Sequence, residues 1–293
     1  MKLLAKFSLI FTAVFGLGLC ATGYVCYDLL QKSAREQVLY QAHLMMDSAM
    51  ATRQYTTEQI KPALTAHDDG VFKPQTVPAF AATEIFEHLH KHYPDYSYKE
   101  ATLNPTNPRD KAVDWEEDVI RIFRNRPATE KEPFSSERMT PTGKSVYLAS
   151  PIVAKASCLE CHSTPDAAPA AMIKRYGSAN GFGWQENEII GAQIVSVPAS
   201  LPEQMADRAF KQLMISLGAV GLVTLIVLNL VLVVTVVRPV RRFALTADQI
   251  SKGQMDVPEL PVHGRDEISM LAAAFNRMHR SLAAAMKMLD DTK

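Results

Sequence analysis

The chain has 293 residues, with 31 basic and 31 acidic side chains and a formal net charge of zero, so there is room for one folded domain of common size plus accessory segments. Balanced charge leaves no electropositive footprint of the kind nucleic acid requires, and nucleic acid is set aside as a partner. The four cysteines fall into two separate pairs rather than a disulfide framework.

Phe7 to Tyr27 is apolar or small throughout and is preceded by Lys2 and Lys6. At about 1.5 Å per residue such a run crosses the hydrocarbon core of a bilayer. It is longer than a usual signal-peptide core, no small-x-small site closes it, and Leu19 before Cys20 argues against a lipoprotein. An uncleaved anchor over residues 1–28, in contact with membrane lipid, is expected. Cys20 and Cys26, six positions apart, read as small apolar fillers. From Leu29 to about Tyr55 the anchor continues as a helix, with Gly and Pro absent and Leu39, Ala42, Met46, Met50 and Arg53 at helical spacing. Pro62 is expected to close it within a turn or two.

A shorter helical pattern, Ala81 to Tyr93, ends at Pro94; within it His88, His90 and His92 point in different directions and read as surface residues. Asn104-Pro105-Thr106-Asn107-Pro108 is a loop, because each Pro restricts its neighbour and removes a donor. Asp114 to Arg124 has helical pattern, Lys144 to Val153 looks like a strand, and Glu188 to Val197 alternates as another. Helices mixed with antiparallel strands predict an α+β, PAS-like sensor fold for residues 29–210.

Within that domain stands Cys158-Leu159-Glu160-Cys161-His162. Two thiols at this spacing can add to the two vinyl groups of a haem while the adjacent imidazole ligates the iron. From the chain's own composition the pattern arises by chance with a probability of roughly 0.0015. Cys-x-x-Cys also serves as a redox dithiol or as half of a zinc site. A zinc site needs two more ligands for which no familiar pair is present, and a dithiol leaves the His without a task. One covalently attached c-type haem is therefore the favoured reading, with His162 as an iron ligand. Candidates for the opposite face of the iron are Met50 and Met46, one helical turn apart, with Met45 and His43 behind them.

Leu213 to Val237 is a second apolar run, and residues 211–237 are expected to cross the membrane. Asn229 in its interior should seek a partner on another helix or on its own backbone. Arg238, Arg241 and Arg242 follow it, and with Lys2 and Lys6 they put both termini in the cytoplasm of a two-pass protein of the bacterial inner membrane, the haem domain facing the periplasm. Residues 238–293 then give two amphipathic helices, Val240 to Ile250 and Ile268 to Leu282, joined by a connector around Gly253 to Gly264.

The ordered set Arg53-Gln54-Tyr55-Thr56, Tyr93-Pro94-Asp95-Tyr96, Asn104 to Pro108, Cys158 to Pro165, Ala167-Ala168-Pro169, Tyr176-Gly177 and Gly181-Phe182-Gly183-Trp184 resembles the periplasmic c-type haem domains related to the cyanobacterial photosystem-II-associated haem protein, over residues 30–200. The resemblance implies a PAS-like fold with haem between a long N-terminal helix and the Cys-x-x-Cys-His segment, and His162 as one axial ligand. It leads one to expect Cys as the other, and no Cys stands in the matching helix here, which favours a methionine or an open position. In this frame Trp184 either walls the haem or packs structurally, and Arg53 and Tyr55 either reach a propionate or cap the fold. Residues 238–293 resemble a HAMP module, with Pro239 and Asp266-Glu267-Ile268 matching its marks and Ser269 where Gly is common; that resemblance implies a homodimer. A non-enzymatic receptor is expected, sensing redox state or a diatomic gas and signalling through HAMP to a separate cytoplasmic partner. The alternative is a membrane-anchored electron-transfer cytochrome with an electron-transfer partner; a peroxidase-like site lacks a distal acid and base.

Overall fold

The computed structural model describes residues 3–66, 70–127, 132–262 and 264–290. It divides into two units, Tyr27–Ala209 and Met1–Cys26 with Phe210–Lys293.

Helix α1 runs unbroken from Leu3 to Tyr55. Its buried positions within the first unit, Ala34, Val38, Ala42, Met46 and Ala49, recur every three or four residues, and the small side chains let the helix lie close to the sheet. Pro62 does not close the helix. A single π turn, Thr56–Ile60, follows α1, and α2 (Lys61–Thr65) carries Pro62 in its first turn. The wider turn accommodates a residue that lacks an N–H and whose ring crowds the preceding carbonyls.

Helix α3 (Pro78–His90), strand β1 (Ser97–Thr102), helix α4 (Asp114–Asn125), strands β2 (Phe134–Thr140) and β3 (Gly143–Val153), helices α5 (Ala156–His162) and α6 (Ala170–Tyr176) and strand β4 (Ile189–Pro198) complete the unit. The strands form one antiparallel sheet in the order β1-β4-β3-β2, so the mixed α+β architecture is as expected. β4 is paired on both edges and buried on both faces. Val195 and Val197 pack with Val146, Leu148, Tyr98 and Phe86 under α1 and α3. Ala192 and Ile194 face the other way, onto Val119, Ile120 and Phe123 of α4. Each large side chain fully buried there contributes about 1.5–3 kcal/mol. β1 is held in addition by charge: Lys99 Nζ lies 2.7 Å from Glu116 Oε2, and Glu116 also accepts the Val113 N–H at the start of α4.

In the second unit α7 (Ser200–Leu232), which begins well before Leu213, is followed by a π turn, Val233–Val237, and α8 (Arg238–Ser251). Here too the π turn precedes a proline, Pro239. The apolar windows of α1 and α7 are long enough to cross a membrane and only 6% buried, whereas a core helix would hide its apolar surface in protein. Ser8 Oγ donates to Asn229 Oδ1 at 2.7 Å, and Asn229 Nδ2 donates to the Leu225 carbonyl at 2.8 Å, so the amide in the apolar run is satisfied both across helices and along its own. Gly221 permits the approach, since a Cβ there would lie 2.2 Å from the Phe15 ring.

Helix α9 (Glu267–Asp290) packs against the segment that connects it to α8. Asn276 does this bidentately, accepting from the Leu260 N–H at 2.9 Å and donating to the Leu260 carbonyl at 2.8 Å. The His279 ring reaches the Met255 carbonyl at 3.1 Å. Asp266 caps α9 through the Ser269 N–H at 2.8 Å, and hydrogen bonding from the Ser269 side chain, then from its N–H, draws the Asp266 carboxyl below the usual range.

Candidate functional site

Cys158 and Cys161 stand three residues apart on α5, hence on one side of the helix. Both are free thiols of intermediate exposure. Cys158 Sγ accepts the Lys155 N–H at 3.4 Å, and burial pushes the Cys161 thiol up, with Lys61 acting against it. Both sulfurs thus stand on a partly open helix.

His162 closes α5, and its imidazole is fixed by two loops. Nδ1 lies 2.7 Å from the Gly181 carbonyl. A carbonyl only accepts, so Nδ1 carries the hydrogen and Nε2 keeps its lone pair. That is the tautomer an iron ligand requires, with the outer hydrogen bond that orients it. The Thr106 hydroxyl stands 3.3 Å from the same nitrogen. Trp184 stacks on the ring at 4.0 Å between centroids and 12° between planes. Its N–H donates to the His162 carbonyl, and the Gly183 N–H donates to that of Ser163. Burial lowers the His162 pKa, more than the Gly181 bond raises it, which favours the neutral ring.

Gly181 has φ +84°, and a Cβ would fall 1.9 Å from Thr106 Oγ1; only glycine fits. Its N–H donates to Asn104 Oδ1 at 3.1 Å, and Asn104 Nδ2 donates to the Phe182 carbonyl at 3.4 Å. The loop after β1 is thereby stapled to the loop after α6.

Arg53 does not stand free. Its Nη1 bonds both oxygens of Glu100, whose side chain is 6% exposed against 25% for Arg53. Tyr98 donates to Glu100 at 2.7 Å, and Gln193 Nε2 donates to the Tyr98 hydroxyl at 3.4 Å. Burial, and then the Glu100 charge, raise the Tyr98 pKa. Arg53 lies close enough to Cys158 for the two to interact electrostatically. An ion pair thus ties α1 to the sheet near the Cys158–His162 segment.

The other sequence candidates lie in different surroundings. Met46 is 7% exposed in the core between α1 and the sheet, with Met45 against its edge. Met50, one turn on, is 47% exposed and Tyr55 is 59% exposed. His43, His88, His90 and His92 are exposed, His90 bonding the Tyr96 carbonyl. The structure thus brings together Cys158, Cys161, His162, Trp184 and the Arg53 charge, and separates Met46 from Met50 by environment. Asn104, Thr106, Gly181 and Glu100 received no role in the sequence reading. The clustered Asn and Pro of residues 104–108 and the glycines around Phe182 were the signals for the first three.

The donor set fits a c-type haem: two neighbouring thiols and an imidazole with its Nε2 free. Among the described residues no three His, Cys, Asp or Glu side chains converge to hold a metal ion, so the zinc alternative finds no further ligands there.

A family model described as Tll0287-like matches residues 31–198, and a HAMP domain model matches residues 231–284. Among solved structures, that of the cyanobacterial haem protein Tll0287 is similar at 16% identity and a TM-score of 0.38, covering 51% of this chain and 92% of that one. No curated protein matches.

Proposed function

The chain belongs to the Tll0287-like family and carries a HAMP domain after it, and from that premise we propose a two-pass inner-membrane receptor that holds one covalent c-type haem in a periplasmic, PAS-like domain. The observation that carries the reading is the His162 tautomer fixed by Gly181, next to the free thiol of Cys161 and one turn from that of Cys158. A family named for a protein described as a haem protein, and a HAMP domain, which suggests signalling to a downstream partner, support it.

Cys158 and Cys161 would hold the group through thioethers, and His162 Nε2 would ligate the iron. A haem held there supplies an iron that changes oxidation state or binds a diatomic gas. Trp184 and Gly181 hold the imidazole in place. Through Glu100, Arg53 links α1 to β1. A change in the bulk or charge on α5 biases that link, and α1 and α7 carry the bias to the HAMP helices of a homodimer. The output is a separate cytoplasmic protein, and the receptor itself performs no catalysis. Met50, half-exposed rather than packed in the core, would be the residue to supply a further iron ligand.

The test has two arms. Haem that survives denaturing electrophoresis, and is lost in a Cys158→Ala, Cys161→Ala chain, is expected; haem released from the native chain would refute the attachment. Absorption spectra of oxidised, reduced and CO-treated protein should change in Met50→Ala, and crosslinks between HAMP helices should depend on iron state. State-independent crosslinks combined with rapid electron exchange would make the protein a membrane-anchored electron carrier instead.

A further inference from the structure

The His162 imidazole is oriented by a carbonyl, but that carbonyl belongs to a loop glycine with no regular structure to hold it. What holds Gly181 is Asn104. Its Oδ1 takes the Gly181 N–H at 3.1 Å and its Nδ2 reaches the Phe182 carbonyl at 3.4 Å, so one side chain grips the residue bearing the critical carbonyl and the residue after it. Two points make this more than loop packing. At φ +84° the glycine is free to leave its conformation when released, because it sits in a region that costs it nothing and that it shares with many others. And the Thr106 hydroxyl, two residues from Asn104, stands 3.3 Å from Nδ1, ready to compete for the same hydrogen if the carbonyl turns away.

We propose that Asn104 is a positioning residue that sets the reduction potential of the iron at His162, by holding the Gly181 carbonyl on Nδ1. This rests on the haem-attachment reading above. An Nδ1–H that donates to a fixed carbonyl makes the imidazole a stronger electron donor, which favours ferric over ferrous iron. Release of the carbonyl weakens that donation and raises the potential. Outer-shell partners of a ligating His are worth 10–100-fold in metal affinity. The lower end, about tenfold in the ferric-to-ferrous ratio at fixed ambient potential, corresponds to about 59 mV for one electron.

The experiment is a spectroelectrochemical titration of the full chain in detergent, with covalent haem verified by a pyridine haemochrome assay. Asn104→Ala is expected to shift the oxidised-to-reduced ratio about tenfold toward reduced iron. Asn107→Ala serves as control: in the same loop its Oδ1 accepts the local Arg109 N–H at 3.3 Å, and it should titrate as wild type. An unshifted Asn104→Ala, or an equal shift in Asn107→Ala, overturns the proposal in favour of general loop loosening. If Asn104→Ala does not fold, Asn104→Asp keeps the acceptor for Gly181 and should titrate at or below the wild-type potential; a rise overturns the proposal. Gly181 amide exchange in the wild-type chain must be slow, and fast exchange overturns it as well. Absence of covalent haem from the wild type would refute the attachment reading itself, and the proposal with it.

Discussion

Truncation of Glu100 to alanine would unseat Arg53, strip Tyr98 of its acceptor and loosen α1 from the sheet. The Glu100 carboxylate is almost wholly enclosed and Arg53 is one-quarter exposed. Removing one partner of a buried pair costs about 3–5 kcal/mol because the other charge stays uncompensated. Water reaches the guanidinium here, so the lower figure, about 3 kcal/mol, is expected for Glu100→Ala. Replacing both partners, Arg53→Met with Glu100→Leu, removes the charge problem and should recover most of that loss, since apolar replacements of buried pairs are often neutral. Urea unfolding in detergent, followed by far-UV circular dichroism, measures both; the coupling between the two sites should exceed 1 kcal/mol. A single variant that loses less than 1 kcal/mol, or a double variant no better than the single, would refute the argument that this pair braces α1.

Burial raises the Asp110 pKa from 3.8 to about 6, despite Arg109. The folded state then binds more protons than the unfolded between those values, so stability falls as pH rises from about 4 to about 6, by at most about 3 kcal/mol. Asp110→Asn should flatten that slope in urea titrations across the range, and an unchanged slope would dismiss Asp110 as its source. Met46→Ala should cost about 2–4 kcal/mol by opening a cavity in the core while leaving the haem spectrum unaltered; a spectral change would make Met46 a ligand. Asn276→Ala removes both bonds to Leu260 and should destabilise the HAMP connector by about 1–3 kcal/mol, read as faster amide exchange at Leu260.

Legibility followed periodicity. α1, α4, β3, β4 and both HAMP helices were visible because apolar side chains recur along them at a helical or two-residue spacing. β1 was not, since Ser97-Tyr98-Lys99-Glu100-Ala101-Thr102 buries charges paired with Glu116 and Arg53, and ion pairing leaves no alternation to read. β2 is an edge strand with most of its side chains exposed, and α5 and α6 are seven residues each, too short to show a helical period. Pro62 misled because a π turn, invisible in sequence, lets the helix pass it.

The sequence by itself determined the Cys-x-x-Cys-His motif at Cys158, Cys161 and His162, the two long apolar runs and the HAMP pattern, because each lies in a contiguous stretch whose spacing carries its meaning. Only the tertiary structure decided which imidazole nitrogen is free, that Trp184 stacks on the ring, that Asn104 lies behind Gly181 and that Arg53 is committed to Glu100. These contacts join residues from 19 to 77 positions apart and in part depend on the direction of a single carbonyl, and neither distance in space nor the orientation of a peptide is written in local composition.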